Sequence, residues 1–379
     1  MEGGIQEFYN GKSILITGFT GFMGKILAEK LLRSCHQINK VYVLIRGKRN
    51  KTFRQRFEDV IKIQLFDRLK SEKPGVLESK LVPMNGDIGD EELGLSQEDR
   101  ELLRSEVGVV FHVAATVRFN EPLTSAVKQN TVGTSTLVQL ALTMPNLKGF
   151  VHVSSTYCNC DRDVVEEVMY PEHADWRMMQ SIIDNIDPTI VNVMGKKYIG
   201  NLPNAYIFSK SMAEHVVWEQ RYKIPVVILR PSIVVSTLND PVPGWVDTYN
   251  GPIGITSAIG QGIIRTAFLD NSITPDFMAA DLAIKGIIVA AWARAMCKDP
   301  DEKCHIYNAS SQKKSLTCKQ MIEIGLDAIN KYPLENSVWH YSKHLTNSIF
   351  WFTINVWLFH VIPALIIDSI LKMTGKKPM

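Results

Sequence analysis

The sequence predicts an α/β protein: a doubly wound, Rossmann-type parallel sheet with a smaller substrate-binding region and an apolar helical C-terminal tail. Three observations predict it. A glycine loop, Thr17-Gly18-Phe19-Thr20-Gly21-Phe22-Met23-Gly24, separates the apolar run 13–16 from an amphipathic stretch at 25–32. Strand-like apolar runs recur at 41–45, 80–84, 107–115, 149–153 and 226–229, with helix-like stretches between them. Such alternation builds parallel sheets. Residues 349–371 are dense in Phe, Trp, Ile and Leu.

Strand, glycine turn and helix in that order open a dinucleotide-binding fold. Gly18 permits the tight turn, Gly21 lets the backbone approach a diphosphate, and Gly24 lets helix and strand pack. Thr20, Phe22 and Met23 place the remaining loop and helix N–H groups around the same anion, which the helix N-terminus favours. The spacing Gly-x-x-Gly-x-x-Gly is one residue longer than the commonest fingerprint, and Phe19 is bulky for such a turn.

The second strand ends in Arg46-Gly47-Lys48-Arg49. An acidic residue here would suit a ribose 2′-hydroxyl, whereas a basic one suits a 2′-phosphate. The expectation is therefore NADP(H), with Arg46 as the main contact. The third strand leads to Gly86-Asp87-Ile88, expected at the adenine. The fourth leads to Ala114, Ala115 and Thr116, expected along the pyrophosphate and nicotinamide ribose.

Tyr206 and Lys210 are four residues apart and share one face of a helix expected near 204–219. A phenol with its ordinary pKa near ~10 is a poor acid–base catalyst at neutral pH. A neighbouring ammonium favours the phenolate and lowers that value. The strand at 149–153 ends in Ser154-Ser155-Thr156. Ser155 is the choice for a hydrogen bond to the reacting oxygen, with Ser154 and Thr156 as alternatives because a strand end fixes register poorly. A phosphate loop with a tuned phenol downstream points to hydride transfer at a carbonyl carbon.

The cofactor-binding sheet is expected over 9–235, a substrate-binding region over 236–332, and a membrane-proximal tail over 333–379. Two intervals interrupt the alternation: a charged helical insertion at 49–75, and a long insertion at 161–203 that reads equally as a cap over a substrate and as a surface elaboration. The loop with Pro241, Pro243, Gly244, Gly251, Pro252 and Gly254 belongs to the substrate side. Residues 277–294 read as an apolar core helix.

Apolar residues make up 45% of the 379, enough for a full core, and the net charge of +3 is too slight to argue for nucleic acid. The six cysteines have no zinc-like spacing and read as reduced thiols, with no metal expected. No signal peptide is visible at the start. The apolar stretch 349–371 is long enough for a bilayer, which takes about 20 residues. Asn355, His360, Pro363 and Asp368 interrupt it, so a monotopic or hairpin attachment fits better than a clean span.

The stretches 17–24, 110–120, 151–159, 206–214, 228–234 and 250–254 together resemble the fatty acyl-CoA reductases, of the extended short-chain dehydrogenase/reductase group. The resemblance runs from about Phe8 to the end of the chain. It implies NADPH-dependent reduction of long-chain fatty acyl-CoA to a primary alcohol through an aldehyde, in two hydride transfers. It also implies that Ser155, Tyr206 and Lys210 are catalytic. Pro231 and Ile233, in the matching stretch 228–234, complete the expected cofactor contacts. The implied location is a cytosol-facing membrane of the endoplasmic reticulum or peroxisome. Members of the group generally continue into a second, helical domain, and this sequence ends where that domain is expected to be under way. Two other readings share these residues: an oxidoreductase or epimerase acting on a sterol or sugar nucleotide, and a form that binds NADPH or lipid without turnover.

Overall fold

The computed structural model describes residues 4–35, 37–48, 50–297, 305–335, 337–340 and 344–377; Arg49 and Cys304 lie outside these. The chain divides into two compact units, Met1–Val246 with Met278–Ser310, and Asp247–Phe277 with Ser311–Met379. Part of the stretch read from sequence as the substrate side, 278–310, thus belongs to the first unit.

The first unit is built on seven parallel strands: β1 (Ser13–Thr17), β2 (Val41–Ile45), β3 (Leu81–Asn85), β4 (Val107–His112), β5 (Gly149–Val153), β6 (Val226–Pro231) and β7 (Ile306–Ala309). Their order is β7-β6-β5-β4-β1-β2-β3. Pairings such as Ile16 with Phe111, Phe111 with Val151 and Val151 with Val227 fix the register. Strands β1, β2, β4, β5 and β6 are buried along their whole length, which is why they read as unbroken apolar runs. Edge strand β3 tolerates Pro83 because one side of its backbone needs no ladder partner.

Chain order reverses direction at β1, which lies between β2 and β4. In open parallel sheets a crevice for ligand opens at the C-terminal ends of the strands at such a point. Four helices pack on the sheet: α1 (Phe22–Ser34), α2 (Leu123–Val127, widening to a π-helical turn at Lys128–Val132 and continuing as Gly133–Leu142), α3 (Ala205–Trp218) and α4 (Ala280–Met296). The apolar α4 is core, as its composition predicts: Ile284, Ile287 and Ala291 are fully buried, and Tyr9 donates its hydroxyl to Ile288 O at 2.7 Å.

Strand β7 was not foreseen. It is four residues long, half-buried over Tyr307, Asn308 and Ala309, and shows no apolar run. The expectation of reduced thiols is corrected at one position: Cys297 is disulfide-bonded, whereas Cys35, Cys158, Cys160 and Cys318 are free.

The second unit contains the helices Pro252–Gly260 and Cys318–Lys331 and a parallel pair of short strands, Thr266–Phe268 with His344–Thr346. It ends in one apolar helix, Ile349–Met373, 25 residues long and with none of its most apolar stretch buried. Pro363, expected to kink or break the stretch, does not break it. The helix opens into a π turn at Trp357–Val361, immediately ahead of the proline. A wider turn makes room for the ring that would otherwise strike the preceding carbonyl, so the helix continues.

Candidate active site

Thr17 ends β1, and its hydroxyl accepts from Ala114 N at 3.2 Å at the end of neighbouring β4. Gly18 follows with φ +78, and a Cβ there would lie 2.7 Å from Ala114 N, so no other residue closes this turn. A Cβ on Gly24 would collide with Gly18 O, which lets the first turn of α1 sit directly on the loop. The bulk of Phe19 is no obstacle. Its ring is fully buried on the far side, 6.2 Å from Phe57 and 6.4 Å from Phe66. Gly21 caps α1 and offers no side chain to the free N–H groups of the first turn. Those N–H groups and the helix dipole make an anion site.

Beside this loop lies a cleft of about 190 Å³. Gly18, Thr20, Gly21, Arg46, Asp87, Ile88, Ala114 and Ala115, all expected from sequence, line it. Thr116, Phe22, Met23, Gly24, Pro231 and Ile233 are not among its walls. Leu44, Val113 and Gln129 are, without having been foreseen. Leu44 and Val113 adjoin expected positions, but nothing in the sequence marks Gln129, which the π turn of α2 carries to the cleft.

Arg46 and Asp87 pair with each other at the cleft wall, Nη1 to Oδ2 at 2.9 Å. A second cation, also unforeseen, stands behind them. Arg56 donates to Arg46 O at 2.5 Å and to Thr20 Oγ1 at 3.2 Å. Burial first, then the Arg46 charge, lowers its pKa, with Asp87 acting the other way. It comes from the charged helical insertion, where one arginine among several carries no distinguishing signal.

The catalytic candidates lie on α3 and at the end of β5. Ser155 is buried, accepts from Tyr157 N at 3.2 Å, and faces Tyr206 closely enough to hold the phenol's pKa down. Ser154 turns instead to Cys158 Sγ at 3.2 Å, and Thr156 reaches only to Pro231 O at 3.5 Å. Of the three alternatives, the geometry brings Ser155 to the phenol.

The expected lowering of the Tyr206 pKa is not found. Burial raises it well above the ordinary value, Cys158 adds to the rise, and the Ser155 hydrogen bond opposes it. Tyr206 is held as a neutral phenol, the form that can give up a proton. The Lys210 ammonium, 2% exposed, donates to Val153 O at 2.8 Å and to His152 Nε2 at 3.1 Å.

Asn130 was also missed. It sits in the π turn, where such bulges frequently accompany functional sites. Its amide receives Thr116 N at 2.9 Å and donates to Thr116 O at 3.2 Å and Ser209 Oγ at 3.0 Å. It therefore ties the segment after β4 to the catalytic helix. A single asparagine within a helix has no sequence signature.

A glycine turn at the switch point of a parallel sheet, with a half-buried Tyr and a buried Lys on one helix and a buried Ser at a neighbouring strand end, defines an oxidoreductase of the short-chain dehydrogenase/reductase type that uses a nicotinamide cofactor. Residues 16–287 match the NAD-binding domain family described as male sterility protein. Fatty acyl-CoA reductase 1 of Mus musculus is 38% identical over 375 residues, 99% of this chain and 72% of the mouse protein. The Homo sapiens fatty acyl-CoA reductase 1 has the same identity and coverage. Among solved structures, the reductase domain of a nonribosomal peptide synthetase from Mycobacterium tuberculosis superposes with TM-score 0.65 at 18% identity, over 98% of this chain and 82% of that one. A UDP-glucuronic acid 4-epimerase from Bacillus cereus, solved with NAD, gives 0.56 at 19% identity, over 89% of this chain and 87% of that one. At those identities the structures bear on the fold alone. The chain belongs to the fatty acyl-CoA reductase family.

Proposed function

We propose that the protein reduces long-chain fatty acyl-CoA to the primary alcohol through an aldehyde, using NADPH. The observation that carries this reading is the junction of Ser155 and Tyr206 beside an apolar wall. Phe119 is 64% exposed, and its ring centre lies 5.9 Å from that of Tyr206. Val117, two residues earlier in the same loop, is also exposed. An alkyl chain, unlike a sugar nucleotide, gains by covering such surface.

Bound NADPH supplies one hydride in each of two reductions, thioester to aldehyde with release of the CoA thiol and aldehyde to alcohol. In both, negative charge develops on the carbonyl oxygen, and preorganised donors there lower the barrier. Ser155 and Tyr206 are those donors. Tyr206, neutral because buried, then gives its proton to the alkoxide in the second reduction. Lys210 lies one helical turn from Tyr206 and holds the cofactor ribose while its charge steadies the phenolate left behind. Gly18, Gly21 and the first turn of α1 take the pyrophosphate. Arg46, with Arg56 behind it, takes the 2′-phosphate. The apolar helix Ile349–Met373 attaches the protein to a membrane of the endoplasmic reticulum or peroxisome, where such substrates partition.

Product analysis with NADPH and palmitoyl-CoA, beside a sterol ketone, tests the reading. Hexadecanol from the thioester supports it. Reduction of the sterol alone, or tight NADPH binding with neither substrate consumed, defeats it.

A further inference from the structure

The partner of buried Lys210 is an imidazole where a carboxylate would be the ordinary choice for a buried cation. His152 is itself fully buried on β5, and its Nε2 lies 3.1 Å from Lys210 Nζ. Burial, then the Lys210 charge, pushes its pKa well below the ordinary histidine value, so the ring is neutral. Lys210 has only protons to offer, so Nε2 accepts and the ring proton sits on Nδ1. That Nδ1 has no hydrogen-bond partner. A buried unpaired polar atom costs on the order of 1–3 kcal/mol, which calls for a reason.

The next ring along the sheet fixes its own tautomer. Thr134 donates its hydroxyl to Asn130 O at 2.6 Å, so it accepts from His112 Nε2, while His112 Nδ1 accepts from Thr17 at 2.8 Å. His112 lies 5.1 Å from His152, ring centre to ring centre, and is also kept neutral by burial. The other ionisable groups near Lys210 are Cys158 after β5, and Tyr206 and Glu214 on α3 itself. Cys158 is kept protonated by burial, and Glu214 is spent on a two-pronged pair with Arg230 of β6, at 2.8 and 2.7 Å.

We propose that His152 is a positioning residue for Lys210, holding the ammonium by a hydrogen bond without cancelling its charge. An ammonium has three donors. Val153 O takes one and His152 Nε2 another, so tetrahedral geometry directs the third away from both. Carboxylate pairing would fix the nitrogen equally well but would neutralise the field that the phenol and the reacting oxygen require. The neutral ring avoids this at the expense of a stranded Nδ1. The inference rests on the catalytic role proposed for Lys210.

The test compares His152→Leu and His152→Gln in the full chain. NADPH affinity, read by nucleotide fluorescence, and kcat with palmitoyl-CoA are each followed from pH 6 to pH 10. In the parent protein both change as Lys210 loses its proton near pH 8. Removing an acceptor of the charged form lowers that pKa, so in His152→Leu the break moves down by about one pH unit, equivalent to a tenfold change in the proton equilibrium. At pH 7, kcat falls while KM for the acyl-CoA holds. Glutamine places an amide oxygen near the Nε2 position and restores the break. Should the leucine variant fail to fold, His152→Asn, whose amide stops short of Nζ, takes its place with the same expectation. Superimposable profiles for the parent and leucine variants, or a glutamine variant as displaced as leucine, overturn the proposal. Lys210→Met separates the two levels: no effect there defeats the role of Lys210 itself, whereas an effect there with none at His152 defeats only this inference.

Discussion

Arg46 Nη1 lies 2.9 Å from Asp87 Oδ2, so the two cleft-lining residues proposed for the adenosine end meet each other first. Arg46 is about half exposed, so the pair itself is worth little in isolation. Its value is orientation: the guanidinium is aimed across the cleft mouth, where a dianionic phosphate competes well against one carboxylate. Arg46→Asp is expected to weaken NADPH binding at least about tenfold, the scale of a lost charge-assisted contact, and to leave NADH binding nearly unchanged. Cofactor titrations check this. An unchanged NADPH-to-NADH ratio would remove Arg46 from the 2′-phosphate site.

Phe119 presents an exposed ring beside Tyr206. Phe119→Ala removes an aromatic platform worth on the order of 1–3 kcal/mol when covered. The expected outcome is a KM for palmitoyl-CoA raised about tenfold, with NADPH affinity unaltered and less discrimination against butyryl-CoA. Equal losses for both acyl lengths would mean that the ring supports the loop and not the alkyl chain.

Acid should unfold the first unit early. His112 is held neutral with its pKa lowered from 6.5 to about 3, and His152 is lowered in the same direction, both by burial first. Below pH 6.5 the unfolded chain takes up protons at these two positions and the folded chain does not, so stability is complete above that pH and lost as pH falls. Each histidine contributes a slope of about 1.4 kcal/mol per pH unit across its window. Denaturant midpoints between pH 7 and pH 4.5 should therefore fall steeply, and His112→Gln should flatten the trend. Lys210, lowered from 10.5 to about 8, destabilises the fold below pH 8, and that cost is relieved as pH rises to 10.5. A midpoint independent of pH below 6.5 would contradict the neutral assignment.

The C-terminal helix is expected to decide where the protein partitions. Ile349, Phe350, Trp357, Leu365, Ile366 and Ile370 are each more than half exposed along its length. Removal of 349–379 should move the protein from the membrane pellet to the soluble fraction. Unchanged partitioning would locate the attachment elsewhere or deny it.

The sheet was legible because its strands are buried on both faces, and burial on both faces writes itself as unbroken apolar runs. β7 escaped because its half-buried residues leave no run to read. In the site, the glycine loop was legible because steric demands at Gly18 and Gly24 exclude other residues. Tyr206 and Lys210 were legible because helical spacing places them on one face. Asn130, Arg56 and His152 were not, since each is placed by a contact with a distant segment, and Gln129 was not, since only the π turn brings it to the cleft. The direction of the Tyr206 shift was misread for a related reason: spacing brings Lys210 within one turn, but only the fold shows the burial that raises the phenol's pKa. Pro363 likewise reads as a break until the π turn that accommodates it is seen.

The central claim is that Tyr206 serves a hydride transfer to the thioester carbonyl carbon. Single-turnover reaction of palmitoyl-CoA with NADPH deuterated at C4 tests it most directly, in the parent protein and in Tyr206→Phe. The parent should place deuterium on C1 of the product. The phenylalanine variant should bind NADPH within about twofold of the parent yet transfer slower by a factor on the order of 10²–10⁴, the range for a lost general acid. No deuterium at C1 from the parent, or undiminished transfer without the phenol, would contradict the account.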